Sequence, residues 1–158
     1  MNEKSSLSDL IARLESATGP DREADLAIQL LIEPEGDIAE LMRFRRGLDG
    51  KPGMAWDIHH GGSVCFEKYD DSGRCFYNGG YPLPRYTESI DAAMMLAPRH
   101  SHVLLNGYNA EGFWHTARVQ PFKQEQTPDM AKAGSLPLAL CIAALKAHSH
   151  TDADALSR

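Results

Sequence analysis

The sequence predicts an α+β fold: an antiparallel sheet of about five strands, packed on one face by N-terminal, central and C-terminal helices. Three observations lead there. Apolar residues recur at helical spacing near both ends of the chain. The middle changes to short pieces rich in Val, Phe, Tyr and Trp, divided by glycine pairs. A helix bounded by prolines interrupts those pieces, so strands do not alternate strictly with helices.

The first helix is "SSLSDLIARLESATGP": Leu7, Leu10, Ile11 and Leu14 make one stripe, Ser6 caps with Asp9 three residues on, and Gly19-Pro20 stops it. Asp21 caps a second helix, "DREADLAIQLLI", whose buried side is read as Leu26, Ala27, Leu30 and Leu31. After "EPEGD", Asp37 starts a third, short helix through "IAELMRFRRG".

Strands follow in "MAWDI", "SVCFEKY" and "RCFYN". A turn at Asp71-Ser72 sets Cys65 opposite about Asn78 and Cys75 opposite about Lys68, too far offset for a disulfide. The segment "YPLPRYTESIDAAMMLAP" runs extended through its prolines into a helix, with Thr87 as N-cap. Two more strands, "SHVLLNGY" and "GFWHTARVQPF", come next. In the second, Trp114, Thr116, Arg118 and Gln120 alternate with Phe113, His115, Ala117 and Val119. A polar linker, "KQEQTPDMAKAG", leads to the closing helix, where Ser135 caps and Leu138, Cys141, Ile142 and Leu145 form the stripe. Residues 1–150 are read as a single domain, with 32–80 a candidate insertion and 151–158 a disordered tail.

Bulk properties narrow the function classes. The 158 residues, 42% apolar and 24% charged, suit one ordinary globular domain. No run approaches the roughly 20 apolar residues of a membrane span, and the N-terminus lacks a secretory pattern, so a cytoplasmic protein without membrane partners is expected. The net charge of −6 disfavours a nucleic-acid partner. Three cysteines cannot all pair, and Cys141, set among apolar helix residues, is a small core hydrophobe.

Taken in order, "LIARLESATGPDRE", "LPRYTESIDAAMMLAP" and "LPLALCIAALKAH" give the chain a likeness to a known family. It resembles the small proteins encoded by tailed phages and prophages, related to those described as a phage α/β sandwich domain. The likeness covers residues 7–31 and 81–147 and leaves 32–80 unmatched. It implies a phage or prophage origin and a structural role for the shared caps and helix faces. It implies no catalytic residues and no cofactor.

Candidate contacts come from the residues themselves. Arg43, Arg45 and Arg46 form the basic cluster of "MRFRRG", suited to phosphates or carboxylates, against the plainer reading of a solvated face neutralised by Glu33, Glu35, Asp37 and Glu40. Arg85 and Tyr86 precede the central helix, where free N–H groups favour an anion. Trp56 stands for the strand aromatics, which form either a contact surface or a second core layer. A metal reading uses Asp57, His59, His60 and His102 as ligands of a small metal-dependent hydrolase, although no closed ligand spacing such as HExxH or CxxC frames them. No GxSxG elbow or phosphate loop is present in the sequence. The leading expectation is a non-enzymatic phage-type protein that binds a host protein or a small nucleotide ligand, counter-defence of the anti-CRISPR kind included. A self-associating phage component, for example a homodimer, is a further alternative.

Overall fold

The computed structural model describes residues 7–46, 54–57, 63–69, 72, 74–107, 115–122 and 127–156. Five helices and six strands follow in the order α1 (Leu7–Ser16), α2 (Arg22–Ile32), α3 (Asp37–Arg46), β1 (Met54–Asp57), β2 (Ser63–Tyr69), β3 (Cys75–Pro82), α4 (Ile90–Met94), β4 (Ser101–Asn106), β5 (His115–Pro121), β6 (Ala131–Ala133) and α5 (Leu136–Leu156). The fold is α+β with every strand pair antiparallel. The strands are not joined in one sheet of about five. They form two three-stranded sheets, β1-β2-β3 and β4-β5-β6. The chain divides into two compact units: residues 1–24 with 85–158, and residues 25–84. Helix α5 runs through Leu156, so the backbone of 151–156 is helical where a disordered tail was expected.

In the first unit α5 is the centre. Leu138, Leu140, Cys141, Ile142, Ala144 and Leu145 are all fully buried, which a single stripe does not explain. From Leu138 to Leu145 the helix is apolar on every side because it packs against β5 and β6, against α1 and against α4. Across from it the sheet presents small residues, Ala117, Ala131 and Ala133, with Val119. Leu10 and Leu14 of α1 are buried as the stripe predicted.

The turn into α4 differs from expectation. Ser89, not Thr87, is the N-cap: its Oγ accepts the Ala92 N–H at 3.3 Å. Thr87 is 1% exposed, and its Oγ1 accepts the Asp21 N–H at 2.8 Å. Asp21 in turn caps α2 by accepting the Ala24 N–H at 3.0 Å and takes two hydrogen bonds from the Arg13 guanidinium, at 2.7 and 2.9 Å. Two β-hydroxyl residues two positions apart both suit a cap, and the partner that claims Thr87 lies 66 residues away.

Among the described residues of the second unit, a core cluster joins Leu26 of α2, Ile38 and Leu41 of α3, Val64 of β2 and Leu83, with Leu30 and Met42 packed against it. The buried side expected for α2 is corrected here. Leu31 is 44% exposed and Ala27 half-buried, whereas Asp25, Ile28 and Gln29 are buried. The first residues of α2 belong to one unit and the rest to the other. In the β2–β3 hairpin Cys65 pairs with Gly80 and Tyr69 with Cys75, a register shifted by a bulge at Lys68/Tyr69. The two cysteines therefore sit four positions apart along the ladder, about 13 Å at the rise of an extended strand, beyond disulfide reach.

Candidate functional site

The best-defined exposed surface is the side of the β4-β5-β6 sheet turned away from α5. It follows from the pleat. Ser101, Val103 and Leu105 of β4 align with Pro121, Val119 and Ala117 of β5, and Ala117 aligns with Ala131. That set faces the core. The alternate set, His102, Leu104, Asn106, Thr116, Arg118, Gln120 and Lys132, lies on the opposite face of the sheet, where Thr116 is itself covered at 5% exposure. His102, Asn106 and Lys132 are exposed, Leu104 is 49% exposed, and Arg118 and Gln120 are half-buried.

Phe122 ends this surface. It is 60% exposed, and its ring centroid lies 4.4 Å from that of His102 and 6.4 Å from that of His100. Its N–H donates to the His100 carbonyl at 3.0 Å. His100 has φ of 60°, a left-handed conformation that a non-glycine residue adopts at a cost, and it sits where the chain turns from α4 into β4.

The electrostatics of the face are one-sided. Strands β4, β5 and β6 contain His102, His115, Arg118 and Lys132 and no Asp or Glu, in a chain with 22 acidic and 16 basic residues. Among the described residues neither Arg118 nor Lys132 has a carboxylate partner. The nearest acid along the chain is Asp129, exposed just before β6. The sheet therefore offers two uncompensated cations beside an exposed leucine and phenylalanine. Such a surface can bind, and its polar groups are suited to accepting a partner's carboxylates.

The residues singled out from sequence fare differently. Tyr86 is corrected from contact to core: it is 2% exposed, and its carbonyl accepts the Cys141 Sγ–H at 3.2 Å, so its ring fills the interior. Arg85 is exposed but engaged, pairing with Glu88 at 2.7 Å. Arg43 donates to the Pro34 carbonyl at 2.7 Å, bracing the α2–α3 turn. Arg45 and Arg46 lie in the last turn of α3, and Trp56 lies on β1 opposite Phe66.

For the metal reading, Asp57 aligns with Cys65 in the β1–β2 ladder, His102 stands against Phe122, and His59 and His60 lie outside the described residues. Among the described residues no group of three or more His, Cys, Asp or Glu side chains is placed to hold a metal ion. Of the strand aromatics, Tyr81 is 40% exposed, and Tyr108, Phe113 and Trp114 lie outside the described residues.

The alternation in β5 separated Arg118 and Gln120 from Ala117 and Val119 without saying which set faces out, and Phe122, Leu104 and Lys132 were missed. The signal that finds them is the absence of acid from three strands of an acidic chain. Among the described residues no helix is long and apolar enough to cross a membrane. Comparison of the chain with protein-family models, with characterised proteins and with solved structures finds no match.

Proposed function

We propose that this chain is a non-enzymatic, phage-type accessory protein that acts by binding, and that it seats an acidic patch of a host protein on the outer face of the β4-β5-β6 sheet. Occlusion of a host defence component, in the manner of anti-CRISPR proteins, is the most specific form of the reading. The observation that carries it is that Arg118 and Lys132, without carboxylate partners among the described residues, share a face with exposed Leu104 and Phe122, and that the three strands of this face contain no Asp or Glu. Arginine and aromatic residues are where binding energy concentrates in protein interfaces. A host protein is favoured over a small nucleotide signal because the groups are spread over three strands of a pleated face. The phage-like phrases at residues 7–31 and 81–147 supply the biological setting.

The test compares the native chain with an Arg118→Glu/Phe122→Ala double variant as bait in bacterial lysate. The captured protein is then purified and titrated by calorimetry over a salt series. The reading expects a partner that binds the native chain at least about tenfold more tightly than the variant, with affinity falling as salt rises. Equal capture by both baits, or capture by neither, overturns it.

A further inference from the structure

Strand β4 is an edge that the fold has not protected. In the order β4-β5-β6 it lies at one margin of the sheet, and among the described residues no strand pairs with its outer side. Edges of this kind are ordinarily shortened, charged, bulged or given a proline. The opposite margin is treated that way: β6 has three residues, with exposed Lys132 at its middle. Strand β4 has six residues, Ser-His-Val-Leu-Leu-Asn, without Lys, Arg, Asp, Glu or Pro, and its ladder to β5 is regular.

Its apolar residues are also incompletely covered on both faces. On the inner face Val119 and Ala117 of β5 are 1% and 0% exposed, but Val103 and Leu105, aligned with them on β4, are only half-buried. Helix α5 sits over β5 and β6 and reaches β4 weakly. On the outer face Leu104 is 49% exposed. Three consecutive apolar side chains on an open edge thus lack partners enough to bury them.

The sequence of β4 is complementary to itself. Antiparallel pairing about Leu104 sets Leu104 against its own counterpart, Val103 against Leu105 and His102 against Asn106. The first and third pairs fall on the outer face and the second on the inner. No charge opposes a like charge, and the open backbone groups on each copy meet partners on the other. We propose that two copies of this chain associate through β4, related by a twofold axis at Leu104, to make one continuous six-stranded sheet. The contact is isologous, so it closes at the dimer and does not propagate.

The test is sedimentation of the full chain over a concentration series, with Leu104→Lys and Leu104→Glu variants. The native chain is expected to approach twice its 17.4 kDa mass. Each variant alone is expected to stay at that single-chain mass, because the substituted charges meet at the axis, and an equal mixture of the two is expected to recover the dimer. Hydrogen exchange on the native chain gives a readout independent of the variants: the outward amides of residues 102–105 should become protected as concentration rises. A native chain that stays monomeric, a dimer indifferent to Leu104→Lys and Leu104→Glu, or exchange in β4 that ignores concentration each overturns the proposal.

Discussion

The two units use the same elements, helices and a three-stranded antiparallel sheet, and stabilise them differently. In the first, a helix buried on all sides from Leu138 to Leu145 fills the centre, and polar ties fasten the segments around it: Thr87 to Asp21, Asp21 to Arg13 and Ala24, and Cys141 to Tyr86. In the second, the core cluster is Leu26, Ile38, Leu41, Val64 and Leu83, joined by turn-level bonds such as Arg43 to Pro34 and Gln29 to Glu33. The contrast teaches that a sheet alone does not set stability. What matters is how much apolar side chain the covering helix brings, and whether buried polar groups near it are satisfied.

The largest test of this contrast pairs two truncations. Leu140→Ala should cost about 3–4 kcal/mol, near the upper part of the range for a fully buried leucine, because α5 is enclosed by sheet and helices and cannot collapse onto the cavity. Leu41→Ala, 6% exposed in the cluster of the second unit, should cost about 2–3 kcal/mol. In hydrogen exchange it should release the amides of α3 and β2 before those of α5. Urea unfolding followed by exchange reads both. Equal costs with identical exchange patterns would show that the two units respond as one.

A smaller effect isolates the polar ties. Thr87→Val keeps the shape and removes the acceptor for the Asp21 N–H, and should destabilise by about 1–2 kcal/mol in the same urea assay. A neutral result would mean that this buried hydroxyl contributes little to fastening the unit.

The smallest effect is in pH. Partial burial alone would raise the Asp21 carboxyl, but hydrogen bonds from Arg13 and the Ala24 N–H outweigh it and hold the group below its ordinary value of 3.8. A depressed carboxylate stabilises the fold fully above its unfolded value and loses that contribution as pH falls through the lower folded one. The native chain should therefore lose stability more steeply than Asp21→Asn as pH drops below 3.8. Thermal unfolding in acid series of both chains measures it, and parallel curves would remove Asp21 from the account.

Much of this architecture was legible in the residues, and the failures share a physical cause. Helical spacing located α1, α2, α3 and α5, and the caps Asp21 and Ser135 act as read: Ala24 and Leu138 donate to them at 3.0 and 3.4 Å. Strand β6 was passed over as linker because Ala-Lys-Ala has no β-branched or aromatic residue, and only its pairing with β5 makes it a strand. Tyr86 looked like a contact because it precedes a helix start, whereas long-range packing puts it against the Cys141 segment. Ser6, the cap proposed for α1, lies outside the described residues. The candidate site divides along the same line. Alternation within β5 set Arg118 apart from Ala117 and Val119, but which set faces out, and the neighbours that give the surface its character, Leu104 and Lys132, come from strands brought together by pairing.

The alanines between α5 and its sheet carry one more consequence. Ala117, Ala131 and Ala133 are the buried strand residues beneath α5. Small side chains on the sheet let the helix lie close to it, so the gap between the layers depends on these positions staying small. Divergence at these positions is then limited by volume more than by polarity. A single added isopropyl group would act as a wedge, lifting the helix along its length and tilting the strands beneath it.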